Sequence, residues 1–331
     1  MFFKLRNNSA IIMLTLFSYL FCLDSIKDTI FFTSANPFSF RDIIEDLDTQ
    51  KEQEVFGILT LPNQINENQK VPLIIGVAGS KDWASHHLEY IHMYQNMGIA
   101  TFELHSFQSR EISSTVGTQV DVTTAMIILD SYKAFEKLSK YSQINKDKVA
   151  ITGWSLGGGV ALFSGWLPLK NAINKDLKFA AHLSYYPPCI VEPKTLDFTD
   201  SPMHLLVGEL DDWVPADACV DLASKMKKNG ANIEVTVYKD SHHSFDRKEP
   251  PQIVEDGYKL QDCRLSMRDD GAVLMNFFNI PMTTPFLQKV GLALCTKGIF
   301  AERGPTFGGN SDSREKSFKF SRSFMEENLF E

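Results

Sequence analysis

Two patterns in the chain predict an α/β fold with a mostly parallel central sheet, helices on both faces, and a small insertion before the last helix. Between Val55 and Tyr238 short apolar runs alternate with amphipathic stretches. Strand and helix in alternation require crossover connections, which lay parallel strands side by side. One of the strands also runs directly into a glycine-rich helix start, Gly153-Trp-Ser-Leu-Gly-Gly-Gly159. The 331 residues, 44% apolar, suffice for one large domain, and neither a repeat nor a Pro/Gly/Ser linker divides it.

The first residues precede the fold. Lys4 and Arg6 stand before an apolar stretch, residues 10–22, that gives way to Asp24, Ser25 and Lys27. This is the layout of a secretory signal. The stretch falls short of the ~20 residues a spanning helix needs, so residues 1–22 are expected to be a signal peptide and not a permanent membrane anchor. Leu20 departs from the small-x-small cleavage pattern, and Tyr19, Leu20 and Phe21 are too bulky for a lipoprotein box. The expected location is periplasmic or secreted, with residues 23–331 forming a single domain.

Residues 55–61, 71–77 and 99–104 read as the first three strands. Residues 121–138 carry Ala125, Ile128, Leu129, Tyr132, Phe135 and Leu138 on one helical stripe. Strands follow at 149–152, 179–184, 203–207 and 233–238, with a helix at 216–228 between the last two. Residues 248–303 break the rhythm with Pro250-Pro251, Pro281 and Pro285, and read as an insertion or cap. The chain ends in a helix at 311–330, where Phe318, Phe324 and Leu329 are the expected buried positions.

Export makes the cysteines a disulfide question. Removal of residues 1–22 leaves Cys189, Cys219, Cys263 and Cys295, for which three pairings exist. Neighbouring strand ends bring the segments of Cys189 and Cys219 together, and Cys263 and Cys295 bracket the irregular insertion, so these are the expected pairs. Closing loops of that size contributes up to roughly 3.5–4 kcal/mol in the chain-entropy model. The alternative is four reduced thiols buried as small apolar groups.

The chemistry centres on Ser155. A serine on a strand-to-helix turn needs glycine on both sides, because the turn is too tight for side chains and the strained backbone pushes Oγ outward. A phosphate-binding turn would resemble it, but a Walker-type lysine is missing. A serine hydroxyl is a weak nucleophile near neutrality and requires a base and an acid to orient that base. Asp211 follows the strand at 203–207, with Asp212 and Glu209 as local rivals. His243 follows the strand at 233–238, with His242 as the alternative base. An oxyanion hole needs two backbone N–H groups, and Leu156 and Ser80 are the expected donors.

The chain resembles the dienelactone hydrolase family of α/β-hydrolases over about residues 50–245 and again at the final helix. The resemblance rests on Gly153-Trp-Ser155-Leu-Gly-Gly158, on Gly208-x-x-Asp211-x-x-Val-Pro215, on His243-Ser-Phe245, and on Ser106-Phe107 with Arg110. Gly304-Pro-Thr-Phe-Gly-Gly309 is similar to the family's segment before its last helix. The resemblance implies the α/β-hydrolase fold, hydrolysis of esters or lactones as small-molecule substrates, and no cofactor. Two departures stand out. Dienelactone hydrolase itself uses a cysteine nucleophile where this chain has Ser155, and the usual His-Gly of the oxyanion loop is Ala78-Gly79.

Arg110, Trp154, Tyr186 and Trp213 are candidate substrate-pocket residues, each with core packing as the plainer reading. The other histidines are not paired at i and i+4 with a carboxylate base, so a metal is not expected. A formal charge of −8 and the lack of a basic block argue against nucleic acid as a partner. Two alternatives share the serine turn. One is a peptidase similar to the prolyl oligopeptidases, although the roughly 30 residues expected between the signal and the first strand leave no room for a propeller. The other is a non-catalytic binding protein on the same fold. The oligomeric state is not legible.

Overall fold

The computed structural model describes residues 27–63, 69–295 and 302–331, so the expected signal peptide lies outside them. In chain order its elements are β1 (Lys27–Ala35), α1 (Phe40–Asp46), β2 (Glu52–Thr60), β3 (Val71–Val77), α2 (Ser85–Asn96), β4 (Ala100–Leu104), α3 (Thr124–Leu138), β5 (Ile144–Trp154), α4 (Leu156–Phe163), α5 (Leu167–Ile173), β6 (Ala181–Tyr185), β7 (Val191–Pro193), β8 (Met203–Gly208), α6 (Ala216–Lys228) and β9 (Ile233–Tyr238). The remainder comprises β10 (Gln252–Ile253), β11 (Leu265–Met267), β12 (Val273–Leu274), α7 (Pro285–Ala293), β13 (Thr306–Phe307) and α8 (Ser311–Phe330).

β3 is buried at every position, the mark of a central strand covered on both faces. It sits inside an eight-stranded sheet of order β1-β2-β4-β3-β5-β6-β8-β9. The pairs β1–β2 and β2–β4 are antiparallel, and every pair from β4 to β9 is parallel. Alternation along the strands divides the core into two layers. Leu73, Ile75 and Val77 face α3 and α4, whereas Ile74 faces the tyrosines of α2 and the apolar positions of α8.

The predicted strands and helices all form, and of the elements added to them two shape the sheet and its cover. The sheet begins at β1, immediately after the expected signal and well before residue 55, so the spacer of roughly 30 residues does not exist. The buried Ile30 and Phe32 alternate properly, but Phe31 between them is 53% exposed and packs on Phe56, which blurs the period. α2 is the second addition. Beside Ile91 and Met93 its buried residues are His86, His87, Tyr90 and Tyr94, which a hydrophobic pattern undercounts. α8 docks on it partly through polar contacts: Tyr90 Oη bonds Ser317 Oγ at 2.7 Å, and Tyr94 bonds Ser321.

Residues 248–303 are not loop alone. β11 pairs in parallel with β7 and antiparallel with β12, and β10 pairs with β13. Ile190, Val214, Leu260, Leu265, Met275 and Met282 form a separate apolar cluster beneath them. The disulfide Cys263–Cys295 closes this segment, and Cys189–Cys219 ties the β6–β7 connection to α6, with Cα separations of 5.0 and 4.9 Å. Both expected pairs therefore form. Among the described residues no helix is long and apolar enough to cross a membrane.

The core also contains a pH-dependent element. Burial pushes His182 down to about 4 from an ordinary value of 6.5. Its Nδ1–H donates to the Ala161 carbonyl at 2.8 Å, and among the described residues its buried Nε2 has no partner, so a second proton would find no acceptor. The unfolded chain takes up that proton as pH falls below 6.5, while the folded chain resists it until about 4. Stability is thus fully present above that window and lost through it. His182→Gln is expected to flatten the fall of the urea midpoint between those two pH values. An unchanged slope would assign the acid sensitivity to other groups.

Candidate active site

β5, β8 and β9 end at the same edge of the sheet, the carboxyl edge where α/β folds bind ligands. Ser155 follows β5 directly, with φ 55° and ψ −114°, values an L-residue rarely adopts. Its amide is fixed to the Tyr185 carbonyl at 2.9 Å. The flanking glycines are obligatory for spatial reasons: a Cβ on Gly153 would lie 2.1 Å from the Gly157 carbonyl oxygen, and one on Gly157 would lie 2.2 Å from that of Val77. α4 therefore starts against the ends of β3 and β5, which holds the serine side chain at the rim.

His243 Nε2 lies 2.9 Å from Ser155 Oγ, and its Nδ1 lies 2.7 Å from Asp211 Oδ2. Asp211 and His243 are both buried. The other Asp211 oxygen accepts the backbone N–H groups of Trp213 and Val214 at 3.0 and 2.9 Å, so the carboxylate is held in one orientation. The rivals have structural employment. Asp212 accepts the Thr306 amide and pairs with Lys259, and Glu209 accepts the Asp240 amide. His242 turns its Nδ1 to the Leu210 carbonyl.

Ser80 and Leu156 line the same cavity as Ser155. The loop carrying Ser80 is closed by the Asp82 amide on the Gly79 carbonyl at 3.0 Å and by the Thr115 amide on the Ser80 carbonyl at 2.9 Å. Beneath the altered Ala78-Gly79 turn, His87 stacks on Trp154 with ring centroids 4.5 Å apart. Burial first, and then the neighbouring His86, push His87 well below the ordinary range.

Of the four candidate pocket residues, Trp213 lines the cavity and the other three do not. Arg110 points away: its guanidinium donates to both Asp130 oxygens at 2.7 and 3.1 Å and to the Ala35 and Ser106 carbonyls. An ion pair with a buried carboxylate outcompetes an open pocket for that side chain. Trp154 is fully buried behind the serine turn, packed on Tyr185. Tyr186 packs its ring edge against His243 and donates its hydroxyl to Asp246 at 2.9 Å. Sequence reasoning missed Phe38 and Phe40, Gln119, and the cap residues Leu265 and Met282, all of which line the cavity. For Phe38 and Phe40 the available signal was the capping box that starts α1, Ser39 with Asp42; nothing local marked the others. Among the described residues no three His, Cys, Asp or Glu side chains converge on a metal position.

A parallel sheet flanked by helices, with a serine turn after β5 and an acid and a histidine after β8 and β9, is the architecture of an α/β-hydrolase-fold protein. The family model of the dienelactone hydrolase family matches residues 92–267, more than half of the chain and inclusive of Ser155, Asp211 and His243. The chain belongs to the dienelactone hydrolase family. It is similar to the probable 2-oxo-3-(5-oxofuran-2-ylidene)propanoate lactonase of Bradyrhizobium sp., 24% identical over 42% of this chain and 57% of that one. It is also similar to Protein usf of Aquifex pyrophilus, 31% identical over 35% of this chain and 47% of that one. The chain thus spans about half the length of these curated relatives. Among solved structures, a dienelactone hydrolase-like promiscuous phosphotriesterase from metagenomic libraries shares the fold, with a TM-score of 0.55 at 10% identity over 92% of this chain and 99% of that one.

Proposed function

We propose that the protein hydrolyses carboxylic esters or lactones through an acyl-enzyme. The observation that carries this is the unbroken hydrogen-bonded series Ser155 Oγ, His243 and Asp211 beside a cavity. Ser155 Oγ attacks the carbonyl carbon as His243 Nε2 takes its proton. Asp211 holds the imidazole with Nδ1–H toward itself and stabilises the cation that forms. The amides of Leu156 and Ser80 receive the developing oxyanion, each contributing on the order of 3 kcal/mol. His243 returns the proton to the departing alcohol, and the same groups then activate water against the acyl-serine. Family membership supports the reaction class, and the two disulfides support export to an oxidising compartment.

A fluorophosphonate probe is expected to label the folded protein at Ser155, with p-nitrophenyl acetate turned over in preference to aminoacyl nitroanilides. Preference for the amide would favour a peptidase. Absence of labelling in folded protein would leave a non-catalytic binding protein.

A further inference from the structure

The cavity beside Ser155 has a volume of about 180 Å³, and none of the described residues lining it is charged. It follows one face of α4, where Leu156, Gly159 and Phe163 line it in succession. At 1.5 Å per residue that face extends ~10 Å from the serine, the reach of an acyl chain of about eight carbons. Phe40 closes the far end against Phe163, with ring centroids 5.7 Å apart. Leu265, Val273 and Met282, from the segment after β9, also line it. The nearby amide groups are engaged by the protein: Gln119 bonds Ser80, and Gln288 Nε2 donates to the Gln119 carbonyl at 2.7 Å.

The lining residues are those expected of a pocket on the acyl side of the scissile bond. His243, which must reach the departing oxygen, does not line it, whereas Leu156 and Ser80, the expected oxyanion donors, do. A carboxylate placed there would lose its hydration without gaining a cation, because Arg110 is bound to Asp130. A methylene placed there leaves water for an apolar wall and gains about fourfold in binding.

We propose that the substrate is a neutral ester of a medium-chain aliphatic acid, its acyl chain lying between α4 and the cap. This rests on the ester-hydrolase reading above. The test measures kcat/KM of the full chain on p-nitrophenyl acetate, butyrate and octanoate, on mono-p-nitrophenyl succinate, and on octyl acetate. The expected result is a rise of at least about tenfold from acetate to octanoate, with succinate below butyrate by a similar factor. Val273→Trp is expected to lower the octanoate-to-acetate ratio about tenfold by occupying the cavity. A flat or falling series with Ser155-dependent turnover, or a preference for the chain on the alcohol in octyl acetate, would overturn the acyl-pocket assignment and leave the hydrolase reading standing. Loss of all Ser155-dependent turnover would overturn both.

Discussion

Replacing Ser155 with alanine is expected to lower kcat for p-nitrophenyl esters by roughly 10⁴–10⁶ and to leave the fold intact. The loss corresponds to about 5–8 kcal/mol of transition-state stabilisation, because the substitution removes the attacking oxygen itself. On the proposed mechanism the amides of Leu156 and Ser80 still polarise a bound carbonyl in the variant, so a residual rate above that in water is expected. The variant deletes one hydroxyl whose hydrogen-bond partner is His243, so Tm should move by less than about 2 °C. Circular dichroism melts beside stopped-flow ester hydrolysis check both halves. Retention of wild-type turnover by pure, folded Ser155→Ala would refute the acyl-enzyme mechanism.

The second large effect falls on stability and not on turnover. Arg110→Ala would strand the Asp130 carboxylate, whose side chain is 0% exposed and which also accepts the hydroxyls of Ser34 and Ser106 at 2.5 and 2.7 Å. Truncating one partner of a buried ion pair costs about 3–5 kcal/mol, since the remaining charge keeps its desolvation penalty. For a chain of this size the melting temperature should fall by roughly 6–15 °C. KM for a p-nitrophenyl ester should not change, because neither residue lines the cavity. Asp130→Ala in the Arg110→Ala background should recover part of the loss, as both charges then leave the interior together. A raised KM with an unaltered melt would return Arg110 to the substrate.

The same arginine separates what a local pattern carries from what it does not. Ser106, Phe107 and Arg110 are legible as a cluster after a strand, but the partner that claims the guanidinium lies on α3, and no spacing in the chain announces that pairing. His86 and His87 behave similarly. In sequence they are two polar residues, and in the fold they are buried in the core beneath the serine turn. The insertion was recognisable from its prolines as a break in rhythm, yet its parallel pairing with β7 joins residues more than seventy positions apart.

The succession of the main sheet strands from β2 to β9, the serine turn, and the placement of Asp211 and His243 just past strand ends were legible in short stretches of chain, although the rivals Asp212, Glu209 and His242 were set aside only by the contacts of the fold. Each is a local property: an apolar period, a glycine forced by a close backbone approach, a carboxylate or imidazole just past a strand end. Parallel crossovers of one hand then deliver those strand ends to one edge without further instruction. The cavity was decided only by tertiary structure. Its walls come from the segment at Phe38–Phe40, from α4, and from the cap at Leu265, Val273 and Met282, and no local signal specifies which of these remote surfaces meet. That choice is made by the burial of apolar area and by close packing between segments far apart in the chain, which are properties of the assembled core.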